Sequence, residues 1–82
     1  MTRDRTPAEP APIDSIEHYD NGKVKLAGSI LTGEMHGDWA WYRRDGSLMR
    51  TGAFDRGRQV GPWRTFDRTG RLVKETSFPA PG

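Results

Sequence analysis

Few side chains in this chain could carry out catalysis or bind a metal, and they are scattered. There is no cysteine, and the two histidines, His18 and His36, have no second ligand at the spacing of a metal site. The carboxylates at predicted turns are Asp20, Asp45, Asp55 and Asp67. Hydrogen bonds to the local backbone account for such residues, and nothing in their spacing brings an acid and a base together. We therefore expect no catalytic residue, no metal, no cofactor and no small-molecule substrate.

Two glycine-rich stretches invite comparison with phosphate-binding loops. They are Gly33-x3-Gly37-x-Trp39 and Gly57-x3-Gly61-x-Trp63. A phosphate-binding loop leads from a strand into a helix whose N-terminus holds the anion, and no window here has the 3.6-residue apolar period of a helix. We interpret both stretches as loops that connect strands and deliver each tryptophan into a sheet.

Aromatic and basic residues alternate along two segments and form the better candidate site. Its members are Trp39, Trp41, Tyr42, Arg43, Arg44, Trp63, Arg64 and Phe66. Stacking combined with phosphate contacts is how single-stranded nucleic acids are held, and anionic membranes attract the same cations. However, 13 Lys and Arg face 11 Asp and Glu without a block of one sign, which does not indicate dedicated nucleic-acid binding. The rings therefore either hold the fold together or bind a partner protein, with nucleic acid or anionic lipid as the alternative ligand.

The chain is a repeat with a period of 24 residues, the distance from Gly33 to Gly57. The glycines that carry the repeat are Gly22, Gly28, Gly33, Gly37, Gly46, Gly52, Gly57, Gly61 and Gly70. Asn21-Gly22, Asp45-Gly46 and Thr69-Gly70 predict primed hairpin turns, and each precedes a run in which apolar residues alternate. Because Gly28 and Gly52 stand inside such runs, we predict that an aromatic ring from the following strand covers each of them.

The pattern predicts an all-β fold, an antiparallel meander of stacked β-hairpins in a single layer, with about six strands and no helix. The predicted strands cover about 15–19, 23–31, 38–43, 47–55, 62–67 and 71–78. Residues 1–14 are rich in proline and charge and are expected to form a disordered tail, as are residues 79–82, so that the repeat domain covers 15–78. No apolar run has the length of a membrane span, and we expect a cytoplasmic protein.

The unit Tyr19-Asp20-Asn21-Gly22-Lys23-Val24-Lys25, followed by Gly28 and by Gly33-x3-Gly37-x-Trp39, resembles the MORN-repeat variant of bacterial proteins, which includes YwqK-type antitoxins. The resemblance covers residues 18–78, as units at about 18–41 and 42–65 and a half-unit at 66–78. This sequence departs from the family at Met35-His36, at Gln59-Val60 and at Thr76, which replaces a glycine.

The MORN resemblance implies a non-enzymatic scaffold that binds another protein, in some relatives a toxin that it neutralises. Eukaryotic MORN proteins add a looser link to phospholipid membranes. A single-layer sheet also has open edges and an uncovered apolar face, so self-association is a further expectation.

Overall fold

The computed structural model describes residues 10–79, which form one antiparallel sheet. Its strands are β1 (Ile13–His18), β2 (Val24–Leu31), β3 (Glu34–Tyr42), β4 (Leu48–Asp55), β5 (Arg58–Phe66) and β6 (Leu72–Phe78). They lie in chain order, each hydrogen-bonded to the next. The predicted all-β meander is therefore confirmed, and the described residues contain no helix. None of their elements is a helix of the length and apolarity that crossing a bilayer requires.

Three hairpin connections lie at one end of the sheet, which we call the turn end: residues 19–23, 43–47 and 67–71. In the first, the N–H of Tyr19 donates to the Lys23 carbonyl at 2.8 Å, and that of Gly22 to the Tyr19 carbonyl at 3.0 Å. Only Gly22 has a positive φ, of 88°. The prediction of primed turns here was wrong. The Tyr19–Lys23 hydrogen bond closes a loop of three residues, 20–22, in which only the last residue, Gly22, has a left-handed backbone.

The primed conformation occurs instead at the opposite end, in connections of two residues. Thr32 and Gly33 have φ values of 46° and 87°, and Arg56 and Gly57 have values of 51° and 89°. Two positive φ values in succession define the tight turn that matches the twist of a hairpin. Gly33 and Gly57 thus lie in turns, and β3 and β5 begin directly after them. The prediction of long Gly-x3-Gly loops, with strands starting near 38 and 62, was wrong.

The second glycine of each stretch forms a bulge inside a strand. On β2 and β3, Ala27 is opposite Ala40 whereas Ser29 is opposite His36, so residues 37–39 face the single residue Gly28. The same irregularity sets residues 61–63 against residue 52. Pro62 therefore lies within the central strand β5, where the bulge removes the need for its missing N–H.

Each bulge turns a tryptophan across the neighbouring strand, onto a glycine. A Cβ atom at Gly28 would overlap the ring of Trp39, and one at Gly52 would overlap the ring of Trp63. The predicted aromatic cover is confirmed at both glycines. Trp39 also donates from Nε1 to the Ser29 carbonyl at 3.1 Å. With Leu31, these two tryptophans are the buried hydrophobic residues of the described sheet.

The ends of the sheet differ slightly from the sequence prediction. β1 begins at Ile13, so Ile13 and Asp14 pair with β2 and are not part of a tail. Pairing starts there because Pro12 lacks the N–H that an earlier rung needs. Pro79 follows β6 and belongs to no strand. The rest of the two predicted tails, at 1–9 and 80–82, lies outside the described residues.

The turn at Thr32 predicts a stabilising substitution. A β-branched residue at φ 46° is held in a region that L-residues avoid, whereas asparagine tolerates it. Thr32→Asn is expected to raise the free energy of unfolding by about 0.5–1 kcal/mol, measured by urea denaturation. Thr32→Val is the control, since it keeps the branch and loses the hydroxyl that donates to the Leu31 carbonyl. An equal or larger gain in the valine variant would contradict the backbone explanation.

Candidate partner-binding face

A row of aromatic rings crosses four strands on one side of the sheet, which we call the aromatic face. Its rings are Trp39, Trp41, Phe54, Trp63 and Phe78. The ring centroids of Trp41 and Trp63 are 5.3 Å apart, and those of Phe54 and Trp63 are 5.2 Å apart with planes at 89°. Edge-to-face pairs of this kind add about 0.5–1.5 kcal/mol each beyond the apolar area they bury. The row is continuous, and no second layer of the described chain covers it.

A shallow groove runs along the aromatic face from β4 to β6. Its lining residues are Arg50, Gln59, Trp63, Thr65, Lys74, Thr76 and Phe78. Arg50 and Lys74 flank Thr65, because Arg50 is opposite Thr65 on β5 and Thr65 is opposite Lys74 on β6. Neither cation forms a salt bridge with a carboxylate of residues 10–79. The groove therefore combines an apolar floor with two exposed positive charges at one end.

The structure places three of the eight predicted site residues on this face, namely the tryptophans. Tyr42 and Phe66 end β3 and β5 beside the turns. Their backbone carbonyls accept hydrogen bonds across the repeat, from the Tyr19 hydroxyl at 2.7 Å and from the Arg43 guanidinium at 2.5 Å. Tyr19 and Arg43 occupy equivalent positions of the 24-residue repeat, so one contact joins each hairpin to the next.

The arginines of the predicted site are engaged with their own chain. Arg44 pairs with Asp20 and lies 5.2 Å from the centre of the Tyr19 ring. Arg64 pairs with Glu75 at 2.6 Å on the side of the sheet opposite the aromatic face. None of these cations joins the tryptophan row.

Arg43 is half-buried and binds the backbone of two neighbouring strands. Its guanidinium donates to the Leu48 carbonyl at 3.2 Å and to the Ser47 hydroxyl at 3.3 Å, besides the Phe66 carbonyl. The Arg43 side chain, one of the predicted partner-binding residues, is therefore engaged in contacts within the sheet. The cations that do face the groove, Arg50 and Lys74, are absent from the predicted site. Period-two alternation carried the signal for them, since Arg50 shares a face with Phe54 and Lys74 with Phe78.

Aspartates at the turn end accept hydrogen bonds from their own turns. The Ser47 hydroxyl donates to Asp45 at 2.7 Å, and its backbone N–H at 2.8 Å, which lowers the pKa of that carboxyl below its usual range. In the next turn the Thr69 hydroxyl donates to Asp67 at 2.6 Å and the Arg71 N–H at 3.0 Å, with the same effect on the pKa. Asn21 serves the first turn by accepting from the Lys23 N–H.

The histidines are strand residues. His18 ends the edge strand β1, as predicted. His36 lies within β3 and not in a solvated loop, because the turn is only two residues long. Its Nδ1 accepts from the Arg56 N–H at 3.1 Å and is 3.8 Å from the Asp55 carboxylate. Residues 10–79 contain no group of three potential metal ligands.

A second depression, on the side opposite the aromatic face, is lined by small residues. Ala27, Ala40, Thr51 and Ala53 form its floor, with Asp38 and Arg64 at its margin. Its polar side chains are Asp38, Thr51 and Arg64, and Arg64 is paired with Glu75. The aromatic face remains the strongest candidate site.

Comparison of the chain with protein-family models, with curated proteins and with solved structures found no match.

Proposed function

We propose that this chain is a non-enzymatic, MORN-like interaction module that binds another protein on its aromatic face. The single observation that carries the proposal is the row of rings on a sheet of one layer, in which Trp39 and Trp63 are buried while Trp41, Phe54 and Phe78 keep part of their surface exposed. Large rings in an uncovered patch are the residues that contribute most to protein interfaces. Binding of a partner would bury the exposed part of the row.

The groove defines the chemistry of this partner. Its floor contacts apolar side chains through Trp63 and Phe78, and its cations attract carboxylates through Arg50 and Lys74. A protein segment with apolar residues followed by an acidic one matches both features. Neutralisation of a toxin is the specific form that the MORN resemblance suggests, and the cytoplasm is the compartment we propose with it.

Nucleic acid or anionic membrane is the less favoured ligand. Arg44, Arg64 and Arg68 each pair with a carboxylate of the same chain, so binding a phosphate would require breaking those pairs. Residual binding of this class would weaken steeply with salt. Titration with a single-stranded oligonucleotide and with phosphatidylserine vesicles at low salt is expected to show no binding.

The protein-binding proposal is tested with a matched pair of charge reversals. Arg50→Glu places a negative charge in the groove, whereas Arg58→Glu places the same charge at the start of β5, outside the groove. The tagged full chain is used to isolate a partner from its own cells, and the partner is then purified and titrated calorimetrically. We expect Arg50→Glu to weaken binding at least tenfold, about 1.4 kcal/mol, and Arg58→Glu to leave it unchanged.

Two results would contradict the proposal. One is equal affinity of both variants for the purified partner while circular dichroism shows the same fold. The other is that the partner binds only in the presence of nucleic acid. For the toxin form, the partner expressed alone is expected to arrest growth, and co-expression of this chain to restore it; growth that is unaffected by the partner would remove that form while leaving protein binding intact.

A further inference from the structure

Both edge strands expose apolar side chains. Ile13 and Ile16 of β1 are 72% and 55% exposed, and Val73 of β6 is 57% exposed. An edge strand also carries backbone N–H and C=O groups that no neighbouring strand pairs. The two edges belong to different halves of the repeat, because β1 aligns with β3 and β5 while β6 aligns with β2 and β4. The edge of β6 is thus the kind of edge that β3 and β5 cover inside the sheet.

The internal repeat fixes how a β1 strand would lie on β6. Leu26 of β2 is opposite Trp41 of β3. Lys74 occupies the position of Leu26 two repeats later, and Glu17 occupies the position of Trp41 one repeat earlier. The equivalent pairing between copies therefore sets Lys74 opposite Glu17. β1 has Ile13 where β3 has the bulge glycine, so the pairing continues without a bulge. Thr76 then lies opposite Ser15, and Phe78 opposite Ile13.

Side-chain size permits this pairing at Ser15 and Thr76, the position where the edge strands lack the tryptophan–glycine pair of the inner strands. Inside the sheet the corresponding rungs set Trp39 on Gly28 and Trp63 on Gly52, and a Cβ at either glycine would overlap the ring. At the edges both members differ, since β1 has Ser15 in place of the tryptophan and β6 has Thr76 in place of the glycine. A small residue on β1 thus meets the branched residue on β6 without the overlap that a tryptophan would cause.

The lengths and charges of the two edges also match. In this register Pro12 is opposite Pro79, so both strands stop pairing at the same rung. The acidic Glu17 meets the basic Lys74 on the aromatic face, while Ile16 and Val73 become diagonal neighbours on the other face. Ile13, Ile16 and Val73 therefore each gain an apolar contact.

We propose that the β6 edge of one copy pairs antiparallel with the β1 edge of a second copy, so that the sheet continues head to tail from molecule to molecule. The contact is heterologous, because different surfaces of the two copies meet, and it therefore produces chains of copies and not closed pairs. It is argued from the register of the sheet edges and does not depend on the proposed function, although it shares Lys74, Thr76 and Phe78 with the groove.

Cross-linking tests the register directly, since the chain contains no cysteine. A chain carrying both Ser15→Cys and Thr76→Cys is expected to form a ladder of disulfide-linked multimers on mild oxidation. The control carries Ser15→Cys and Ser77→Cys, whose side chains lie on opposite faces, and is expected to remain monomeric under denaturing electrophoresis. A dimer formed as efficiently by Thr76→Cys alone would overturn the proposal in favour of a symmetric β6 contact.

A charge swap tests the same contact in solution. Glu17→Lys and Lys74→Glu, each alone, set like charges opposite each other, and each is expected to weaken association about five- to tenfold in sedimentation equilibrium. The chain with both changes restores an opposite pair and is expected to associate like the original. Arg50→Glu is expected to leave association unchanged. A chain that stays monomeric at its solubility limit, or a double variant no better than the single ones, would overturn the proposal.

Discussion

Gly52→Ala is expected to lower the free energy of unfolding by about 3 kcal/mol and the Tm by about 12–24 °C, one of the two largest effects in the chain. The new methyl group would occupy the space of the Trp63 ring, which is only 8% exposed. The ring must then leave its site, and its contacts with Trp41 and Phe54 are lost. Thermal unfolding followed by circular dichroism measures the effect.

The control for this change is Thr76→Ala, at the equivalent position of the third repeat. Thr76 is exposed, so the expected change is within about 0.5 kcal/mol. A double-mutant cycle with Trp63→Leu isolates the contact, because a smaller side chain leaves room for the methyl group. Equal losses from Gly52→Ala and Thr76→Ala, or additive effects in the cycle, would show that the ring does not require the glycine.

Arg43→Met is expected to lower the free energy of unfolding by about 2 kcal/mol and the Tm by about 8–16 °C. The guanidinium donates to the carbonyls of Leu48 and Phe66, and a thioether leaves both without that partner. Hydrogen bonds from a charged group are among the stronger ones, and here they join two hairpins. Urea denaturation measures the loss.

Arg44→Met is the matched control, one residue further along the turn. Arg44 pairs with Asp20 in solvent, and an exposed ion pair contributes between zero and about 1 kcal/mol. The two arginines are indistinguishable in the sequence, yet they are expected to differ by more than 1 kcal/mol when replaced. A loss at Arg44 as large as that at Arg43 would mean that the stacked turns depend on net charge and not on the backbone contacts.

The sequence was sufficient to predict the sheet because two signals agreed. Alternation of apolar residues indicated strands, and the 24-residue period required every hairpin to be built alike. The absence of a side chain at Gly28 and Gly52 even indicated where rings would pack. Turn type was harder, because Thr32 and Arg56 are poor residues for positive φ, and the tightness of the connection overrides their preference.

The candidate site was predicted only in part. The tryptophans lie on the aromatic face, but Arg43, Arg44 and Arg64 follow other contacts that depend on the alignment of one hairpin with the next. In the sequence these arginines stand next to aromatic residues, but the sequence does not show which carbonyl or carboxylate each one contacts in the fold. Alternation along β4 and β6 places Arg50 and Lys74 on the aromatic face, but their positions on either side of Thr65 depend on cross-strand registers, which the bulges at Gly37 and Gly61 shift.

The placement of each tryptophan over a glycine of the preceding strand also bears on how the chain folds. Every strand pairs with its neighbour in sequence, so the loops that must close are short and the entropy of closure is small. Each ring reaches its glycine within one hairpin, because β2 and β3, like β4 and β5, are joined by a two-residue turn. The contact of Trp41 with Trp63 then joins one such hairpin to the next, so the tryptophans give a chain of local contacts the cooperativity of one transition.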